Sequence, residues 1–188
     1  MKNIVIFGAP GAGKGTQCKM LSEKLGLIHI STGDLIRKEI AEESEVGIKA
    51  REIISKGLLL DDTTVSEIFI NALKKHLNSP GFLFDGYPRT VKQAEILEEI
   101  LKDLNMEVNL FIELTLSPDE AVKRLLKRAE IEGRSDDNPE TVRARFEEYN
   151  RKTAPVRNHY IKKGIYKNIE GVRKIEEIND LITAIILQ

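Results

Sequence analysis

Short apolar runs alternate with longer amphipathic stretches along this 188-residue chain. Runs of strand length stand at 3–7, 27–30, 82–84, 110–114 and 166–169. Between them the hydrophobic period changes. Over 62–77, Val65, Ile68, Phe69, Ala72, Leu73 and Leu77 fall on one helical face; over 90–104, Val91, Ala94, Leu97, Leu101 and Leu104 do the same. Gln17 to Leu25 reads as a helix behind the first strand, and Ile175, Ile178, Leu181, Ile182 and Ile185 mark a final one. Ser117-Pro118-Asp119-Glu120 is a helix start, with a capping hydroxyl, proline at the first position and acids in the first turn; Asn138-Pro139-Glu140 repeats the logic. Strands alternating with helices predict an α/β fold, a parallel sheet covered on both faces, with ligands at the carboxyl ends of its strands. Two segments fit this sheet poorly. Residues 34–60 read as helical with no strand between, and 128–137 are polar with Gly133 in the middle. Both are expected as flaps on one domain, uninterrupted by repeats or low-complexity linkers.

Composition narrows the class. Hydrophobic residues make up 41%, enough for a core, and charged residues 31%, yet the net charge is −1. Such balance argues against nucleic acid and membrane surfaces as partners, while leaving room for basic residues gathered in one cleft. The single cysteine, Cys18, excludes an intramolecular disulfide and a Cys-based zinc cage, and its place on the first helix fits a small buried thiol. The chain enters its first strand directly after Met1-Lys2-Asn3, with no signal peptide and no apolar run near the roughly 18 residues of a membrane span, so the expected location is the cytoplasm.

The chemistry begins at residues 8–16, Gly8-Ala9-Pro10-Gly11-Ala12-Gly13-Lys14-Gly15-Thr16, between the first strand and the first helix. A strand that turns through glycines into a helix leaves N–H groups unpaired at the helix's positive end, where they hold phosphate oxygens. Lys14 adds a point charge for the outer phosphates. Gly15 stands where this pattern generally has Ser or Thr, and the hydroxyl comes one later, at Thr16.

Basic residues recur farther on. Arg37 lies about one turn into a helix opened by Ser31-Thr32-Gly33-Asp34, whose hydroxyl and acid already read as a cap. Asp85 ends the third strand, as the acid near magnesium does in many phosphate-loop proteins, and Gly86-Tyr87-Pro88 is a tight turn that aims Arg89. Arg124 and Arg128 share a helical face, and Arg134 follows a short loop. Arg143 and Arg145 lie about 200° apart around the next helix, so only one of them can face a given site. A solitary arginine is commonly a solvated charge. Beside a phosphate loop, several rigid guanidinium forks suit a pair of nucleotides rich in phosphate charge.

The strings GAPGAGKGT, STGDLIR, DGYPR, GRSDDN and TAPVRNHY occur in that order along the whole chain. In this the chain resembles the nucleoside monophosphate kinases, and within them the adenylate kinase family in its short-lid form, whose phosphate loop carries the same Gly-Thr departure. The resemblance implies a phosphate-loop NTPase-type three-layer fold with a five-stranded parallel sheet and helices on both faces. It implies a core of 1–30, 61–127 and 138–188, a flap over the monophosphate at 31–60 and a short lid over ATP at 128–137. Gly11, Ala12, Gly13, Lys14, Gly15 and Thr16 would hold the ATP phosphates, with Arg124, Arg128 and the backbone near Gly171 also on ATP. Thr32, Arg37, Gly57, Leu58, Leu59, Gly86, Tyr87, Pro88, Arg89 and Gln93 would bind AMP. Arg134 and Arg145 would reach the phosphates between the nucleotides, which selects Arg145 over Arg143. Lys14, Arg89, Arg134 and Arg145 would be catalytic, and Asp85, through water, and Thr16 would attend Mg²⁺.

Two positions bear on the base. An amide matches adenine's donor and acceptor edge, which suits Gln93. The UMP/CMP kinases usually have Ala where Thr32 stands and lack the Gln, and the Asn-Lys-x-Asp string of GTP-binding switches is absent. The short lid lacks the segment that carries four zinc ligands in long-lid relatives, and His29, His76 and His159 show no ligand spacing, so the expected cofactor is Mg²⁺ with ATP and not zinc. The implied reaction is reversible phosphoryl transfer from ATP to AMP giving two ADP, by a monomer. A pyrimidine monophosphate kinase, or a nucleotide-hydrolysing switch or sensor, is the rival reading; a switch or sensor would bind one nucleotide instead of two.

Overall fold

The computed structural model describes residues 2–134 and 136–188; Met1, at the start of the expected core, and Ser135, within the expected lid, lie outside them. The chain runs β1 (Lys2–Gly8), α1 (Lys14–Leu25), β2 (Ile28–Ser31), α2 (Thr32–Ala41), α3 (Glu45–Ser55), α4 (Asp62–Lys74), β3 (Gly81–Asp85), α5 (Val91–Asp103), β4 (Leu110–Thr115) and α6 (Pro118–Glu132). It continues through α7 (Pro139–Glu148), a π-helical turn (Tyr149–Thr153), α8 (Val156–Lys162), β5 (Tyr166–Glu170) and α9 (Ile175–Leu187). The five strands form one sheet in the order β2-β3-β1-β4-β5, every pairing parallel.

Burial of both sheet faces follows from β1, where consecutive residues serve different cores. Val5 and Phe7 pack with Phe69 of α4, Leu97 of α5 and Tyr160 of α8. Ile4 and Ile6 turn the other way, to Leu21 of α1 and Ile182 of α9. The three layers expected from the resemblance are therefore present. They place the carboxyl ends of β1 and β3 side by side, with Ile6 paired to Asp85.

The helix starts follow the predicted capping. Ser117 Oγ accepts from Glu120 N at 3.3 Å, and Asn138 Oδ1 accepts from Thr141 N at 3.0 Å. Three details differ from the sequence pattern. Leu77 lies beyond α4, which ends at Lys74, in a turn closed by His76 N–Leu73 O and Ser79 N–His76 O bonds before Pro80. Val91, first in α5, is 39% exposed and outside the core. Residues 128–132, the first half of the polar segment, continue α6, which stops where Gly133 adopts the left-handed conformation at φ 63°. The segment after β2 is helical as expected, split into α2 and α3. Among the described residues, no helix is long and apolar enough to cross a membrane.

Candidate active site

The phosphate loop joins β1 to α1 at the carboxyl edge of the sheet. Gly13 caps α1 at φ 88°, a conformation that side-chain-bearing residues rarely adopt, and brings no side chain to occupy the first-turn N–H groups. Lys14 folds back, and its Nζ donates to Gly8 O at 2.8 Å and Ala9 O at 3.0 Å. Burial lowers its pKa to about 8, against the pull of Asp85, while Arg89, Arg145 and Arg128 add to the lowering. Gly171 stands beside this loop: its N–H donates to Thr115 O at 2.7 Å, and a Cβ there would lie 3.6 Å from Ala12 O.

Asp85 closes β3 against α1, so that a Cβ on Gly15 would stand 3.4 Å from Asp85 Oδ2. The same oxygen meets His29 Nε2 at 3.2 Å. His29 thus belongs to the surroundings of the site, a pairing across 56 residues that no local spacing signals. Cys18 completes a group whose ligand atoms lie within 4.8 Å of one another. Burial, with Asp85 next, pushes the Cys18 thiol well above its usual pKa, so it stays neutral, and it packs in the core with Leu21. His159 pairs with Glu98 at 2.8 Å and His76 is exposed.

Beyond Asp85 the chain turns at Gly86, φ 76°, where a Cβ would stand 2.8 Å from Thr32 Oγ1 and 2.9 Å from a guanidinium nitrogen of Arg89. That crowding brings two elements onto one carbonyl. Thr32 Oγ1 donates to Gly86 O at 2.7 Å, and Arg89 Nε donates to it at 2.8 Å. Burial, then the like charge of Arg145, lowers Arg89 to about 10. Gln93, buried on the first turn of α5, accepts from Arg89 N at 2.7 Å through Oε1.

A cleft with about 1080 Å³ of empty space, open to solvent, runs from the phosphate loop to these residues. The structure brings Lys14, Thr32, Arg37, Gly57, Leu58, Leu59, Gly86, Tyr87, Pro88, Arg89, Gln93 and Arg145 onto its wall. Arg37 is ion-paired to Asp34 at its rim. Gly57 turns at φ 74° against α7, where a Cβ would meet Thr141 O at 2.8 Å and Arg145 Cγ at 3.1 Å.

Arg124, Arg128, Arg134 and Arg145 are each paired with acids. Arg145 Nη1 donates to Asp137 Oδ1 at 2.6 Å and Asp136 Oδ2 at 3.1 Å, while Arg143 is exposed on the same helix. Burial holds Arg145 below its ordinary value against those two acids. Arg128 grips Asp137 with two bonds, Nε–Oδ2 at 2.6 Å and Nη2–Oδ1 at 2.8 Å; these outweigh its burial and raise its pKa. Arg124 pairs with Glu120 at 2.9 Å, and Arg134 with Glu132 at 2.7 Å. Of the expected site residues, Gly11, Ala12, Gly13, Gly15, Thr16, Asp85, Arg124, Arg128, Arg134 and Gly171 are not on the wall of the cleft. Sequence reasoning missed Asp136, which is on that wall, and Asp137, fully buried beneath Arg128 and Arg145. No local signal marked this pairing, because Arg128 and Arg145 lie nine and eight residues from Asp137 along the chain.

A phosphate loop at one end of a cleft lined by Lys14, Arg37, Arg89 and Arg145 fits a class: phosphate-loop kinases that pass a phosphoryl group between two nucleotides. Residues 6–165 match the family model for adenylate kinase, and the chain belongs to the adenylate kinase family, which are phosphotransferases. Curated relatives named adenylate kinase extend the match to nearly the whole length. That of Parabacteroides distasonis is 42% identical over 178 residues, covering 95% of this chain and 94% of the relative. The Flavobacterium johnsoniae protein is 43% identical over 187 residues, 99% and 98%. The Leptospira biflexa protein is 43% identical over 182 residues, 97% and 98%.

Proposed function

We propose that this adenylate kinase moves the terminal phosphoryl group of Mg-ATP to AMP through Lys14, Arg89, Arg134 and Arg145. The observation that carries this reading is that Lys14, Arg89 and Arg145 share the wall of one cleft, where burial lowers all three pKa values and the charge of Arg145 adds to the lowering of both Lys14 and Arg89. Buried cations that repel one another are compensated by a polyanion, and two nucleotides meeting end to end supply it. ATP binds Gly11 to Thr16, with Arg124, Arg128 and Gly171. AMP binds Thr32, Arg37, Gly57 to Leu59, Gly86 to Arg89 and Gln93. The acceptor is an ionised phosphate oxygen, so the chain supplies alignment and charge and no general base.

Magnesium fits beside the loop, because Asp85 offers a hard oxygen donor at the end of β3 and Thr16 a hydroxyl on the first turn of α1. When bound, the ion neutralises charge on the ATP phosphates and fixes their geometry. Residues 31–60 act as a flap and 128–137 as a lid that excludes water as they close. The family resemblance supports a cytoplasmic monomer, and the single Cys18 leaves no cysteine pair for an intramolecular disulfide.

The test is product analysis by chromatography after incubation with Mg-ATP and AMP, UMP, CMP or GMP in turn. ADP formed only with AMP, two per ATP consumed, is the expected result. UDP or CDP would overturn the base assignment, and ATP loss with no diphosphate from any acceptor would overturn the phosphoryl clamp.

A further inference from the structure

Gln93 does not meet the cleft as a freely rotating amide. Its Oε1 accepts from Arg89 N at 2.7 Å, and its Nε2 donates to Asp62 Oδ1 at 2.9 Å. A backbone N–H can only donate and a carboxylate can only accept, so the two partners fix which end of the amide is oxygen and which is nitrogen. Thr90 locks the second partner in turn. Its hydroxyl accepts from Gln93 N at 3.1 Å and donates to the same Asp62 Oδ1 at 3.0 Å. Asp62 comes from the start of α4 and Gln93 from the first turn of α5, 31 residues apart in sequence. Capping does not require Asp62, because its neighbour Asp61 caps α4 by accepting from Thr64 N at 2.9 Å. Gln93 is 1% exposed and on the cleft wall, so its orientation is set inside the protein before any ligand arrives.

We infer that Asp62 is a positioning residue for base selection, holding the Gln93 amide in the one orientation that matches adenine against its 6-oxo analogue. The inference rests on the assignment of Gln93 to the adenine edge. An amide has two donor and two acceptor positions, and the protein uses one of each, which leaves one lone pair on Oε1 and one N–H on Nε2. Adenine presents a 6-amino donor beside an N1 acceptor, and these match that remaining pair. Hypoxanthine presents the reverse, an oxygen at position 6 and an N1–H donor, on a ring of nearly the same shape. A flipped amide would match hypoxanthine as well as the native one matches adenine. Asp62 and the Arg89 backbone forbid the flip: it would set the amide nitrogen against an N–H and the amide oxygen against a carboxylate. AMP and IMP are therefore told apart by the polarity of one side chain and not by the size of the pocket.

The test is kcat/KM for AMP and for IMP at saturating Mg-ATP, in the wild type, Asp62→Ala, Gln93→Ala and the double variant. Asp62→Ala is expected to lower the AMP-to-IMP ratio roughly tenfold, through KM for AMP, with kcat and KM for ATP changed less than about twofold. The double variant is expected to match Gln93→Ala alone, because Asp62 acts only through the amide. An unchanged ratio in Asp62→Ala, alongside a collapsed ratio in Gln93→Ala, would overturn the inference and leave the adenine assignment standing. An intact ratio in Gln93→Ala would overturn both. Losses shared equally by AMP, IMP and ATP would mark a structural role and also overturn it. If Asp62→Ala does not fold, Asp62→Asn keeps the volume and can turn either an oxygen or an NH₂ toward Gln93. A fall of about threefold in its ratio supports the inference, and an unchanged ratio overturns it.

Discussion

The two halves of the candidate site hold their cations in different ways. On the Gly86 side, Arg89 and Lys14 rest on backbone carbonyls, those of Gly86 and of Gly8 and Ala9. On the α6–α7 side, Arg128 and Arg145 rest on the carboxylates of Asp137 and Asp136. A carbonyl orients a cation without cancelling its charge, and burial then pulls the pKa down, to about 10 for Arg89 and about 8 for Lys14. A carboxylate cancels the charge and must yield before a phosphate takes its place. On the proposed function, the first half meets a phosphate with no acid bonded to its cations, and the second exchanges one anion for another. Exchange suits the lid proposed at 128–137, whose contacts would be made and broken in each turnover.

Breaking the Gly86 side should have the largest effect. Arg89→Ala is expected to lower turnover by roughly a hundredfold or more, about 3–4 kcal/mol, while the circular dichroism spectrum keeps its native form. Near-normal turnover in the folded variant would remove Arg89 from the clamp.

The exchanging half is tested by Asp137→Ala, which strips Arg128 and Arg145 of a fully buried partner. Urea denaturation should show a loss of about 1.5–3 kcal/mol in the ligand-free protein. Two adenosines joined by five phosphates should restore part of that loss, because the phosphates replace the carboxylate. A loss of the same size with and without this ligand would contradict an exchange of anions.

Titration sharpens the comparison from the Gly86 side. Lys14 has its folded pKa lowered from 10.5 to about 8, so the ligand-free protein sheds this proton as pH rises through about 8. Phosphates favour the charged form, so ATP binding takes the proton up again above that pH. Affinity for Mg-ATP should be level below about 8 and weaken above it by up to about tenfold per unit, read by calorimetry across pH. The same sign means that Lys14 makes the ligand-free fold more stable as pH rises from about 8 towards 10.5, since the unfolded chain still holds the proton. An affinity independent of pH over that window would contradict the buried, uncancelled lysine. The smallest effect belongs to Arg124, 33% exposed and paired within its own helix to Glu120. Arg124→Ala should raise KM for ATP about threefold, with stability unchanged within about 0.5 kcal/mol.

The sheet was legible because a parallel strand covered on both faces is an apolar run, whatever packs on it. The runs at 3–7 and 82–84 lie inside β1 and β3 for that reason. The phosphate loop was legible because its function is carried by consecutive backbone groups, and the choice of Arg145 over Arg143 rested on family likeness joined to helical geometry. The His29–Asp85 contact and the two acids beneath the lid arginines were not, since each joins side chains whose meeting depends on how whole elements dock. The shared helical face of Arg124 and Arg128 was legible, but how far that helix runs was not. The capped start of α6 carries the helix through residues 128–132 to Gly133.

By itself, the amino-acid sequence determined what local chemistry can determine: strands and helices from hydrophobic period, helix starts from capping residues, the phosphate cradle from its glycines, and membership of the family from five ordered motifs. Only the tertiary structure decided which charges stand uncancelled and which are paired, and which way the Gln93 amide points. Those properties come from distances between residues far apart along the chain, such as Asp62 and Gln93. Electrostatic and hydrogen-bond energies depend on distance and burial, which the linear order of residues does not contain.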